Sequence, residues 1–191
     1  MQHVPAEVGA LYVPGGIGIL CDVPNYYDAR AGQPLTLQAT AGKLMQELLA
    51  AAYMERAELL ITDSVRCHTK RLRDYPEAVS NCATWTTAEL LAYQPKVMVL
   101  MGGTAIKSVF GADATVGRMR GTFASTPPKH PWGWRTVVCT YHPSAASFEG
   151  GVDSDIGRLI IGDLMMAKRA AAVLAGVTME GRDDDVGDDS E

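Results

Sequence analysis

Residues 17–22, Ile-Gly-Ile-Leu-Cys-Asp, are an apolar run ending in a carboxylate, and they follow the turn signal Pro14-Gly15-Gly16. A run this short between turn residues predicts a strand buried on both faces. The same signature returns at 59–63 (Leu-Leu-Ile-Thr-Asp), 96–101 (Lys-Val-Met-Val-Leu-Met) and 135–140 (Arg-Thr-Val-Val-Cys-Thr). Helix-length segments lie between these runs. Over 41–53, Leu44, Leu48, Leu49 and Ala52 share one helical face. A second helix is expected from Pro76 to about Tyr93, a short one over 104–110 and a last one over 155–174. This alternation predicts an α/β fold, a three-layer αβα sandwich around a central, mainly parallel four-stranded sheet. In such sheets chemistry gathers beyond the carboxyl ends of the strands, here 22–28, 63–66, 102–104 and 142–148.

A length of 191 residues and an apolar share of 47% suit one self-sufficient domain. It is expected over 1–175, with a disordered acidic tail over 176–191. Residues 180–191 hold seven acids and one base, and too little apolar surface to order themselves. Without them the net charge of -5 becomes 16 bases against 15 acids, which permits a polyanionic partner without requiring one. No apolar run nears the roughly 20 residues of a membrane helix, and no charged-then-apolar leader opens the chain. Neither a membrane nor secretion is expected. The four cysteines (Cys21, Cys67, Cys82 and Cys139) are too few and scattered for a disulfide scaffold, so a reducing cytoplasm is the expectation, and separately a monomer is expected.

Two strand ends carry groups that can do chemistry. The first runs into Cys21-Asp22-Val23-Pro24-Asn25-Tyr26-Tyr27-Asp28, where Asp22 suits a base or charge stabiliser, or equally a turn-capping acid. The last runs into Tyr141-His142-Pro143-Ser144, where His142 is an acid or hydrogen-bond donor, or an imidazole satisfied by its own turn. A parallel sheet brings both to one cleft. Between them Arg66, His68, Lys70, Arg71 and Arg73 crowd into eight residues, a patch for phosphates or a solvated loop.

These residues resemble the uracil-DNA glycosylase superfamily, and within it family 4, the iron–sulfur type, over roughly 17–165. Cys21-Asp22-Val23-Pro24-Asn25, Asp28 and Gly32-Gln33-Pro34-Leu35 are similar to the family's first motif. Ala41-Gly42-Lys43-Leu44, Ile61-Thr62-Asp63-Ser64-Val65-Arg66-Cys67, Pro95-Lys96-Val97, Met101-Gly102-Gly103-Thr104-Ala105 and Met119-Arg120-Gly121 echo further blocks. Thr140-Tyr141-His142-Pro143-Ser144-Ala145 matches the second motif. The resemblance implies a monofunctional DNA glycosylase, which extrudes a pyrimidine from DNA and breaks its bond to the sugar. It puts Asp22 at the sugar cation and His142 at the base anion, with Asp28 as an auxiliary acid. Pro24, Tyr26, Leu35 and Asp63 would line the base. Arg66, Lys70, Arg71, Arg73, Arg120 and Ser144 would hold DNA, and Phe148 would wedge into the gap left by the base.

The chain also departs from the family pattern. Leu35 stands where the family stacks a Phe, and Asp63 where it reads uracil with an Asn. An ionised carboxylate only accepts and cannot donate to the uracil O4. Three options stay open: burial keeps Asp63 protonated, the pocket suits a base bearing an amino group, or the pocket is degraded. Cys67 and Cys82 resemble two of the family's four cluster ligands, but residues 1–16 hold no cysteine for the other pair. An iron–sulfur cluster is therefore not expected, and no other cofactor is required. The rival reading is a protein of the same fold that recognises a base without cutting it.

Overall fold

The computed structural model describes residues 3–69 and 71–176. Lys70 and the acidic stretch 177–191 lie outside the described residues. The strand runs form β2 (Ile17–Cys21), β3 (Leu59–Asp63), β4 (Val97–Met101) and β6 (Thr136–Thr140), each within a residue or two of its expected bounds. They are parallel neighbours in the order β3-β2-β4-β6. Among the described residues the sheet has six strands and not the four expected. Glu7–Val8 (β1) adds antiparallel to β3, and Phe123–Ser125 (β5) antiparallel to β6. Strands of two and three residues are too short for an alternation pattern to reveal, and they cap the sheet's two edges.

Helices α2 (Thr40–Ala51) and α7 (Asp155–Leu174) cover one face, packing on Ile17, Ile19, Cys21, Ile61 and Val99. Helices α3 (Ala78–Tyr93) and α4 (Gly103–Phe110) cover the other, around Leu20, Leu60, Met98 and Leu100. Both faces of the parallel strands are thus covered, which is why their sequences read as unbroken apolar runs. No described helix is long and apolar enough to cross a membrane.

Three short helices were not expected: α1 (Tyr26–Ala31), α5 (Val116–Met119) and α6 (Pro143–Ser147). Each is too short for a periodic apolar face, and two are set by their caps. Asn25 Oδ1 accepts from Tyr27 and Asp28 N–H at 2.7 and 3.0 Å, while Asp28 Oδ2 accepts from Asn25 N–H at 2.9 Å. This reciprocal capping box starts α1. His142 caps α6, with Pro143 in the first turn where its missing N–H costs nothing.

Candidate active site

Residues alternate across a strand, so Cys21 and Asp63, paired in register at the ends of β2 and β3, share a face, and Asp22 turns to the other. Cys21 and Leu35 belong to the apolar layer under α2, and α6, which His142 caps, packs on α2 with its Ala146 in that layer. Asp63, Leu35 and the His142 turn therefore gather on the α2 side of the sheet's carboxyl edge. Asp22 faces α4, where its Oδ1 accepts the Ala105 N–H at 2.9 Å. Burial raises its pKa, opposed by the backbone N–H groups of Ala105 and Thr104. A carboxylate at a helix start is held by both the free amides and the helix dipole.

Gly102 joins the two halves of this edge. Its N–H donates to Thr140 O at 3.0 Å, two residues before His142. Its φ is +102°, and a Cβ there would lie 2.3 Å from Asp22 Oδ2. Only glycine lets the carboxylate lie against the backbone. Gly102→Ala is expected to lower stability by about 2 kcal/mol, from the left-handed strain and the displaced carboxylate, as read by urea unfolding.

The His142 ring is half-buried. Its Nδ1 lies 2.8 Å from Ser144 Oγ and accepts the Ser144 N–H at 3.2 Å, which leaves the ring proton on Nε2. Burial disfavours the imidazolium and lowers the pKa to about 4. His142 is thus a neutral donor, and Ser144 orients it.

Asp63 is 3% exposed, and its buried Oδ2 has no hydrogen-bond partner among the described residues. Desolvation is the first cause of a pKa pushed up to about 8. The carboxyls of Asp28, Asp22 and Glu89 push the same way, and Arg66 opposes them. Of the three options open at Asp63, this environment favours the protonated acid at neutral pH.

Leu35 is 2% exposed and has a φ of +47°, a strained conformation for a branched side chain. Its neighbours pin it from both sides: Asp28 Oδ1 accepts the Thr36 N–H at 2.8 Å, and Arg56 donates to Pro34 O at 2.7 Å. Asp28, expected as an auxiliary acid, has both oxygens engaged. Burial raises its pKa, opposed by those amides and by Arg56 and His68. Its visible work is to hold the Leu35 loop.

Two of the residues expected to hold DNA, Arg66 and Arg120, are turned inward instead. Arg66 is 1% exposed and does not face solvent. It ion-pairs with Glu89 of α3 and donates to Val4 O at 3.2 Å, tying the amino-terminal segment to the sheet. Arg120 makes two bonds to the buried Asp163 of α7, at 3.0 and 3.2 Å, so its guanidinium is turned inward. A run of basic residues in sequence does not reveal which of them meets an acid from a distant helix. Arg71 and Arg73 are on the surface. His68 Nδ1 sits 3.1 Å from Pro24 O and its ring 6.3 Å from that of Tyr26, so the basic loop leans on the loop after β2. Tyr26 is 57% exposed and Phe148, at the end of α6, is 89% exposed.

Cys67 and Cys82 are free half-buried thiols, with Cys82 Sγ accepting the Arg66 N–H at 3.4 Å. Cys21 and Cys139 lie buried in β2 and β6. Among the described residues no three His, Cys, Asp or Glu side chains are grouped to hold a metal. Two thiols do not fit a four-thiolate cluster. Beside them the His3 backbone bridges to Cys67, and the His3 and Trp85 rings meet edge-on at 5.6 Å.

The profile of the uracil DNA glycosylase superfamily matches residues 17–154, from the first residue of β2 to beyond the His142 turn. The chain belongs to that superfamily. It is similar to the Type-4 uracil-DNA glycosylase of Archaeoglobus fulgidus, 29% identical over 149 residues that cover 72% of each chain. A Type-4 uracil-DNA glycosylase of Thermotoga maritima is 26% identical over 147 residues, 76% of this chain and 72% of the relative. A Type-5 uracil-DNA glycosylase of Pyrobaculum aerophilum is 31% identical over 116 residues, 61% of this chain and 47% of the relative. The superfamily's enzymes are hydrolases of N-glycosyl bonds, and the α/β sheet described here is consistent with its fold.

Proposed function

We propose that this protein is a monofunctional DNA glycosylase. It flips uracil or a related pyrimidine out of DNA and hydrolyses the N-glycosidic bond, leaving an abasic site. It acts as a cytoplasmic monomer without a cofactor. The observation that carries this reading is the neutral His142, whose Nε2–H has no partner among the described residues and whose turn packs with α2 on the face that Asp63, its Oδ2 unpartnered, also shares.

As the bond to the sugar lengthens, the base takes up negative charge and the sugar carbon becomes oxocarbenium-like. The His142 Nε2–H donates to the base oxygen where that charge gathers, as a fixed dipole does in an oxyanion hole. Asp22, held on the Ala105 amide, lends its negative charge to the sugar cation and orients water. Leu35 and Tyr26 cover the base, and Asp28 acts as a positioning group beneath Leu35. Arg71 and Arg73 meet phosphates and Ser144 steadies the histidine, while Arg66 and Arg120 support the fold.

The test is release of uracil from an oligonucleotide, scored as alkali-sensitive breaks. Breaks that disappear on Asp22→Asn or His142→Ala support the reading, and tight binding with no breaks favours the rival. One observation favours that rival, a base reader that does not cut: Asp22 commits an oxygen to capping α4. Phe148→Ala is expected to slow release from duplex about tenfold and to leave single-stranded substrate unchanged, because only a duplex must be opened and kept open.

A further inference from the structure

Asp63 is the one group of the site whose chemistry the glycosylase reading leaves unassigned, and its surroundings are specific. The residue closes β3, and its own carbonyl accepts the Thr86 hydroxyl of α3 at 3.3 Å, so the backbone is held from the helix side. The carboxyl is buried, with Oδ2 unpartnered. Asp28 from α1, Asp22 from the end of β2 and Glu89 from α3 all place negative charge around it, and the Cys21 thiol beside it in register is held neutral by burial. Arg66, the cation that opposes this charge, directs its two terminal nitrogens to Val4 O and Glu89. An ionised Asp63 would add to this corner a charge whose Oδ2 has no donor of its own.

We propose that Asp63 reads the extruded base as an undissociated carboxylic acid, whose single mobile proton lets the site accept cytosine as well as uracil. This rests on the glycosylase reading. Uracil presents an acceptor at O4 and a donor at N3–H, so the acid donates its O–H to O4 and accepts N3–H on its carbonyl. Cytosine presents an acceptor at N3 and a donor at its 4-amino group, so the same O–H donates to N3 and the carbonyl accepts from the amine. Moving the proton between the two oxygens converts one arrangement into the other. An amide cannot do this without turning over, because its donor and acceptor are different atoms. The ionised carboxylate has no donor and sets an acceptor against O4 of uracil and against N3 of cytosine. Both activities are therefore lost together as Asp63 titrates, near pH 8. His142, with its pKa near 4, stays neutral throughout that range and does not contribute to the loss.

The experiment measures free uracil and free cytosine released from single-stranded oligonucleotides, from about pH 6 to about pH 10. The wild-type protein is expected to release both bases, each falling about tenfold per pH unit above the common midpoint. In Asp63→Asn whatever uracil release remains should be flat over the same range, and the ratio of cytosine to uracil release should drop by about 100-fold or more from the wild-type ratio. Uracil release with no cytosine release, or a wild-type profile as flat as that of Asp63→Asn, overturns the proposal. A second measurement separates its failure from that of the glycosylase reading: binding of oligonucleotides carrying 2′-fluoroarabino-uridine or -cytidine, whose sugars resist the oxocarbenium step. If neither natural base is released yet both analogues bind below the midpoint and weaken above it, the glycosylase reading fails and the reading of Asp63 stands. Binding that separates the two analogues equally in wild type and Asp63→Asn sinks the reading of Asp63.

Discussion

Replacing His142 by alanine lowers base release by about 100- to 1,000-fold while the protein stays folded, because one preorganised donor to a developing anion is worth about 3–4 kcal/mol. The magnitude follows from where the ring sits. Its Nδ1 is fixed by Ser144, so the Nε2–H is aimed before the reaction begins and needs no reorganisation as charge develops. Water filling the vacated space would have to be oriented at that moment. The protonation state makes the prediction sharper. An imidazolium acid would lose activity as pH rises through the ordinary histidine range. A ring with a pKa near 4 gives none of that loss, so the wild-type profile shows no histidine-like decline between about pH 5 and about pH 7. The linkage to stability has a definite sign. The folded pKa lies below the unfolded value of 6.5, so the unfolded chain binds more protons between about 4 and 6.5, and stability falls as pH drops through that window. His142→Ala removes this contribution. Single-turnover base release and urea unfolding at several pH values measure the two effects separately.

Replacing Arg66 by alanine costs about 3–5 kcal/mol of folding stability, the range seen when one partner of a buried ion pair is deleted. That is a large share of a domain's total, typically about 5–15 kcal/mol. The guanidinium joins three segments. It pairs with Glu89 of α3 and donates to Val4 O near the amino terminus, while the main-chain carbonyl of Arg66 accepts the Val4 N–H at 2.8 Å. Glu89 in turn accepts from the Ala6 N–H and the Thr62 hydroxyl, at 3.1 and 3.0 Å. Alanine leaves this half-buried carboxylate without its counter-charge and opens a void where the arginine stem packed. Urea unfolding reads the loss directly. A phosphate-binding arginine would behave differently: its alanine variant would keep its stability and reduce the salt dependence of DNA binding by about one counterion. Arg73, exposed beside Asp74, is the residue expected to show that second pattern.

Arg66 shows where sequence reading stops. In the run 66–73 it is one basic residue among several, and nothing local separates it from Arg71 and Arg73. What separates it is Glu89, 23 residues away on another helix. Arg120 and Asp163, 43 residues apart, repeat the lesson. Two of the missed short helices did leave local marks, the Asn25-x-x-Asp28 capping pattern and the His142-Pro143 start. No apolar period marks either, because five or six residues complete less than two turns.

Strand order along the chain, the buried character of four strands and the grouping of Asp22, Asp63 and His142 at their carboxyl ends were legible in the residues themselves. Apolar runs and turn signals are local, and a parallel sheet has few ways to assemble from them. Which face Asp22 turns to, whether Asp63 keeps its proton and which arginines stay in water were decided only in the folded molecule. Each of these depends on desolvation and on charges brought together from distant segments. Those energies do not exist until the chain has closed around them.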